Sequence, residues 1–233
     1  AFELAEEIDA RVQQILEEAN KQGSPTFRDI ANETLSQAGK NEAVGYPTGF
    51  QSIDNLTGGW YPSDLVIIAA RPGMGKTAYT LCNAAFAGKP CGVISLEMPE
   101  KQLGKRLQSI TTGVPFSAIY RDELNEKELQ NLHKSHEHFA SLPISPNFSA
   151  STIGDIRATI ATWVRKDKIE CVFIDQLSFI TSKGQTRDQE VGVVTRGLKK
   201  IAMEFNIPIV LLHQLSRDVA KRTDKRPQLT DLR

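Results

Sequence analysis

The chain has 233 residues, and its 28 basic and 28 acidic side chains leave a formal charge of zero. Apolar and charged fractions of 40% and 24% are ordinary for a globular protein, and the length fits one large α/β domain with an appendage or two small domains. No apolar stretch approaches the about 18 residues of a membrane span, which excludes that class, and neutrality leaves any charged function to local clustering.

The start, Ala1-Phe2-Glu3-Leu4-Ala5-Glu6-Glu7, is acidic and amphipathic, unlike a signal peptide. Leu4, Ile8, Val12, Ile15, Leu16 and Ala19 recur at helical spacing, which predicts an amphipathic helix over 4–19. Gly23-Ser24-Pro25 ends it. Thr26 with Asp29 forms a capping-box pattern that opens a second short helix to about Gln37. Residues 1–37 hold eight acids and three bases, a net of −5. A linker follows, so the chain divides into a helical arm, 1–44, and a domain from 45 to 233.

From Gly45 onward, short apolar runs alternate with helical stretches. The runs are 65–69, 91–96, 169–174 and 207–212; the helices fall near 76–87, 99–112, 126–140, 152–167 and 188–205. Continuous apolar runs predict strands covered on both faces, as in a parallel sheet. The alternation predicts an α/β fold whose ligands bind at the carboxyl ends of the strands. Cys82, Cys91 and Cys171 form no C-x-x-C pair and have apolar neighbours, so they read as reduced core thiols of a cytosolic protein.

Arg71-Pro72-Gly73-Met74-Gly75-Lys76-Thr77 lies between the first run and a helix, the Walker A context. The glycines let backbone N–H groups close around phosphates, Lys76 supplies a mobile charge, and Thr77 supplies a hydroxyl for Mg²⁺. The first position of the pattern is Ala70 rather than Gly. Cys171-Val172-Phe173-Ile174-Asp175 reads as a Walker B strand whose acid holds Mg²⁺ through water. Glu97, in Ser95-Leu96-Glu97-Met98, ends a run expected to lie beside the P-loop strand. It is a candidate to activate water; the alternative is a favourable charge at a helix N-terminus. Gln214 ends the last run, as a γ-phosphate sensor or as an amide that satisfies loop backbone groups.

Together these segments, with Thr48-Gly49-Phe50, Leu56-Thr57-Gly58-Gly59-Trp60 and Gln214-Leu215-Ser216-Arg217-Asp218-Val219, resemble DnaB-type replicative DNA helicases. Arg222-Thr223-Asp224-Lys225-Arg226-Pro227 and Leu229-Thr230-Asp231-Leu232-Arg233 extend the likeness to the end of the chain. The resemblance implies a RecA-like P-loop ATPase core with a mostly parallel sheet, preceded by a helical linker. It implies an ATP-hydrolysing motor that assembles as a hexameric ring around single-stranded DNA, with ATP and Mg²⁺ at subunit interfaces. Primase and a helicase loader are the implied partners, and the site of action is the cytoplasmic replication fork of a bacterium or of a phage-encoded system.

Residue by residue, the resemblance makes Glu97 the catalytic acid–base, supported by Lys76 and Gln214. Arg71 to Thr77 bind ATP, Thr77 and Asp175 hold the metal, and Arg106 takes a supporting place on the helix after Glu97. The implied DNA-facing segment, 217–233, carries six bases against three acids. Arg217, Arg222, Arg226 and Arg233 are its candidates for phosphate contact. Lys183 and Arg187 belong to a second implied channel loop. Gln176-Leu177-Ser178 stands where the family usually has Tyr-Leu-Gln, and His213 where it has Ser. The resemblance also implies an N-terminal helicase domain before this segment, and strands with a finger-bearing hairpin after it. The 1–44 arm is the implied oligomerisation element, docking on an adjacent protomer. Two other readings are a different RecA-like DNA-dependent ATPase, such as a recombinase, and a non-hydrolysing ATP-binding assembly module.

Overall fold

The computed structural model describes residues 11, 26–37, 45–181, 186–215, 224, 226 and 228. The chain divides into two compact units, Ala1–Glu42 and Ala43–Arg233. In the first unit, α1 spans Phe27–Gln37. Its start is built as the sequence predicts: Thr26 N–H and Oγ1 donate to Asp29 Oδ2 at 2.8 and 2.6 Å, and Asp29 N–H donates back to Thr26 Oγ1 at 3.3 Å. The helix expected over 4–19 lies outside the described residues.

In the second unit, the alternation of side chains along each strand decides the architecture. The strands are β1 (Leu65–Ala70), β2 (Cys91–Ser95), β3 (Ile144–Asn147), β4 (Cys171–Asp175) and β5 (Ile209–Gln214). They form one sheet in the order β1-β5-β4-β2-β3, and every pairing is parallel. Val172, Ile174, Ile209 and Leu211 point into one core with Ile156, Ile160 and Leu198. Cys171, Phe173 and Val210 point into a second core with Leu81, Leu103 and Leu107. Helices α8 (Ile153–Lys166) and α9 (Arg187–Phe205) supply the first core. Helices α3 (Lys76–Phe86) and α4 (Glu100–Thr112) supply the second. Central strands buried on both sides must be apolar throughout, and the sequence runs have that composition.

Two strand expectations need correction. β2 does not lie beside β1: β4 and β5 stand between them, because β5 pairs with β1 from Leu65↔Ile209 to Ala70↔Gln214. β1 is also not fully covered on both faces, for none of its residues is fully buried and Ile67 is 39% exposed.

The remaining elements are short. They are α2 (Gln51–Thr57), α5 (Phe116–Arg121), α6 (Glu126–Lys134), α7 (His136–Ala140) and a 3-10 turn, Leu177–Phe179. The single helix expected near 126–140 is two. Ser135 Oγ donates to the carbonyls of Asn131 and Leu132, at 2.8 and 3.2 Å, and competes with the backbone there. α8 approaches β2 so closely that a Cβ at Gly92 would collide with the Trp163 ring. Cys91 and Cys171 face each other across β2 and β4 as buried free thiols, and burial pushes Cys91 up to about 11. No helix among the described residues is long and apolar enough to cross a membrane.

Candidate nucleotide site

The carboxyl ends of β1, β5, β4 and β2 converge on one edge of the sheet. From β1 the chain turns through Arg71 to Gly75 into α3, with Met74 N–H donating to the Arg71 carbonyl at 3.3 Å. Gly73 and Gly75 hold φ of +76° and +87°, a region that L side chains enter only with strain. A Cβ at either would meet nothing within 4 Å. Backbone conformation therefore demands glycine here, and the space in front of the loop is open. Gly75 directly precedes α3, so the first-turn N–H groups of that helix lie at the loop, as an anion site requires.

The loop is tied to the sheet at two points. Lys76 Nζ donates to the Ala70 carbonyl at 3.2 Å. Thr77 Oγ1 donates to Asp175 Oδ2 at 2.6 Å, which brings the two predicted metal ligands together. Asp175 is 2% exposed, and its other oxygen, Oδ1, is buried without a hydrogen-bond partner. Burial pushes its carboxyl above the ordinary carboxylate range. The Thr77 hydrogen bond and then the Lys76 and Arg106 charges oppose that rise. A hydroxyl beside a carboxylate with an unmatched buried oxygen is a donor set that suits Mg²⁺. The open glycine loop before it suits a phosphate chain.

β2 carries Glu97 to the same edge. Ser95 pairs with Asp175 across β2 and β4, and Leu96 N–H donates to the Asp175 carbonyl at 2.7 Å. Ser95 Oγ then donates to the Met98 carbonyl at 3.2 Å, closing a turn that leaves Glu97 exposed. Glu97 thus stands two residues beyond Ser95, the strand partner of Asp175. It reaches the site beside β4, not beside β1.

Gln214 is paired with Ala70, whose carbonyl also accepts from Leu215 N–H at 3.1 Å. The sensor candidate therefore stands next to the root of the P-loop, half-buried. Arg106, on α4, is close enough to Asp175 for its charge to favour the ionised carboxyl. Its guanidinium lies 4.7 Å over the Phe116 ring, a neighbour that no sequence motif singles out.

The DNA candidates are less fully seen. Lys183, Arg217, Arg222 and Arg233 lie outside the described residues. Arg187 is the first residue of α9, with only its backbone described. Arg226 is exposed, and its N–H donates to Asp224 Oδ1 at 3.0 Å.

Residues 45–233 match the DnaB-like helicase C terminal domain family. A probable replicative DNA helicase of Trieres chinensis is 39% identical over 219 residues, which covers 89% of this chain and 48% of that protein. The replicative DNA helicase DnaB of Rickettsia bellii (strain RML369-C) is 36% identical over 226 residues, 90% of this chain and 45% of that one. The chain spans about half the length of the curated relatives it matches.

Among solved structures, an ATPase domain superposes with a TM-score of 0.81 at 29% identity, over 91% of this chain and 78% of the other. The structure of a DnaB-like replicative helicase and its interactions with primase does so with a TM-score of 0.80 at 26% identity, over 98% and 62%. A parallel five-stranded sheet with helices against it is the RecA-like P-loop ATPase fold of these structures. By that fold and by the match over residues 45–233, the chain belongs to the family of DnaB-like helicase C-terminal domains.

Proposed function

We propose that this chain is the ATP-hydrolysing motor domain of a replicative DNA helicase. In this reading it works in a hexameric ring, with ATP and Mg²⁺ at subunit interfaces, and moves on single-stranded DNA to unwind duplex. The observation that carries the reading is the 2.6 Å hydrogen bond from Thr77 to Asp175, which joins the P-loop to the metal carboxylate. The open positive-φ turns of Gly73 and Gly75 support it.

Each side chain then has a task. The loop from Arg71 to Gly75 wraps the phosphates with its N–H groups. Lys76 moves from the Ala70 carbonyl to the outer phosphate oxygens. Thr77 and Asp175 hold Mg²⁺, which when bound neutralises phosphate charge. Glu97 takes a proton from the attacking water. Its exposed turn leaves the carboxylate open to water. Arg106 adds positive charge behind Asp175.

Gln214 touches the root of the P-loop on one side and leads into the basic 217–233 segment on the other. It links the γ-phosphate to the grip on DNA. Arg217, Arg222, Arg226 and Arg233, with Lys183 and Arg187, contact the DNA backbone without reading sequence.

The 1–44 arm docks on an adjacent protomer. The apolar side chains of α1 fit that role: Phe27 and Leu35 are 90% and 72% exposed. The amphipathic stretch 4–19 belongs to the same arm, so deleting residues 1–20 is expected to lower the oligomer mass in light scattering. Primase and a helicase loader are the proposed partners, at the cytoplasmic replication fork. The direct test is phosphate release from ATP with and without single-stranded DNA. Turnover that DNA raises and Lys76→Ala abolishes supports the reading; an inert protein refutes it.

A further inference from the structure

Arg106 presents a problem that the nucleotide site alone does not solve. A long cationic side chain loses much rotamer freedom when fixed. Among the described residues it has no ion pair, and its Nε is buried without a hydrogen-bond partner. What lies against it is a ring face: the guanidinium carbon sits 4.7 Å over the centroid of Phe116.

Phe116 is itself held firmly. α4 ends at Gly113 in a left-handed turn, φ +72°, and the chain doubles back so that Phe116, the first residue of α5, meets Arg106. Ser109 Oγ donates to the Val114 carbonyl at 2.7 Å, and Val114 and Ile119 are 2% and 6% exposed, so buried residues flank Phe116 on both sides. The Tyr120 ring packs against Phe116 at 5.5 Å.

We infer that Phe116 is a positioning residue for the nucleotide site: its ring face holds the Arg106 guanidinium in place for the triphosphate. The inference rests on the ATP reading above. A ring suits the task better than a carboxylate would. The π face attracts the cation through its quadrupole but does not neutralise it, so the full charge stays available to phosphate. A carboxylate at position 116 would compete with the triphosphate for the same guanidinium.

The test is ATP turnover by the intact protein with position 116 varied. Phe116→Leu keeps an apolar side chain and removes the π face. It is expected to raise KM for Mg·ATP about three- to tenfold, a cation–π contribution at a partly desolvated site, with kcat changed less than about twofold if only binding is lost. Phe116→Tyr is expected to restore KM.

Fluorinated phenylalanines at 116 keep the packing and weaken the quadrupole stepwise, so KM is expected to climb with each fluorine even where leucine harms the fold. A flat KM across the fluorinated series would overturn the inference. So would a tyrosine variant that behaves like leucine. Lys76→Ala, measured in parallel, separates the two layers. If it still turns over ATP, the P-loop reading fails; if it is dead while the fluorinated series is flat, only the role of Phe116 fails.

Discussion

Thr77 and Asp175 are 98 residues apart in the chain, and the hydroxyl of one donates to the carboxylate of the other at 2.6 Å. That contact lets a buried acid persist at the end of β4. Desolvation pushes Asp175 above the ordinary carboxylate range, and the Thr77 hydroxyl only partly offsets it. The folded protein therefore favours the neutral acid at this position. Its stabilising contribution is fully present below the unfolded carboxylate range and is lost as pH rises through the raised folded value.

Asp175→Asn tests this directly. Without nucleotide, the variant is expected to match wild type in Tm at low pH and to exceed it increasingly as pH rises toward neutrality. With Mg·ATP at about a hundred times Kd, wild type gains about 2.7 kcal/mol, or about 5–10 °C for a chain of this size, and the variant loses that gain. Thermal melts over a pH series, with and without Mg·ATP, measure both effects. A variant that melts below wild type at neutral pH would contradict the buried-acid account.

Two glycines separate backbone strain from crowding. Gly75→Ala places a Cβ in open space at φ +87°, so the cost is conformational, about 1–2 kcal/mol or about 2–8 °C in Tm, with nucleotide binding lost as the loop changes shape. Gly92→Ala has an ordinary φ but drives its Cβ into the Trp163 ring. Overpacking of this kind costs about 1–3 kcal/mol, and KM for ATP is expected to stay at the wild-type value. Calorimetry paired with ATP titration distinguishes the two.

These contrasts show what the sequence reveals and what it hides. Central strands could be read because burial on both faces forces unbroken apolar runs, and β4 and β5 are such runs. β3 could not, because Ile144-Ser145-Pro146-Asn147 is a short edge strand, nowhere fully buried, with a proline in it. The order of strands is likewise absent from any local pattern, so Glu97 was expected beside the P-loop strand yet arrives beside β4. Within the site, the glycine turn and the acid after an apolar run are local signals. The seat of Arg106 on Phe116 is not: it depends on a turn at Gly113 that brings two helices together.

Coupling between nucleotide and DNA is expected to run through Gln214. It pairs with Ala70 at the root of the P-loop and stands three residues before Arg217. In Gln214→Ala the ratio of ATP turnover with and without single-stranded DNA is expected to fall toward one. DNA stimulation equal to wild type would remove Gln214 from the coupling.

The central claim is that this edge of the sheet hydrolyses ATP, with Glu97 as the base. The most direct measurement compares Glu97→Gln with wild type in two assays, equilibrium binding of Mg·ATP and phosphate release in the presence of single-stranded DNA. The account predicts Kd within a few-fold of wild type and turnover lower by about 10²–10⁴, the usual contribution of a positioned general base. Wild-type turnover in Glu97→Gln would contradict it.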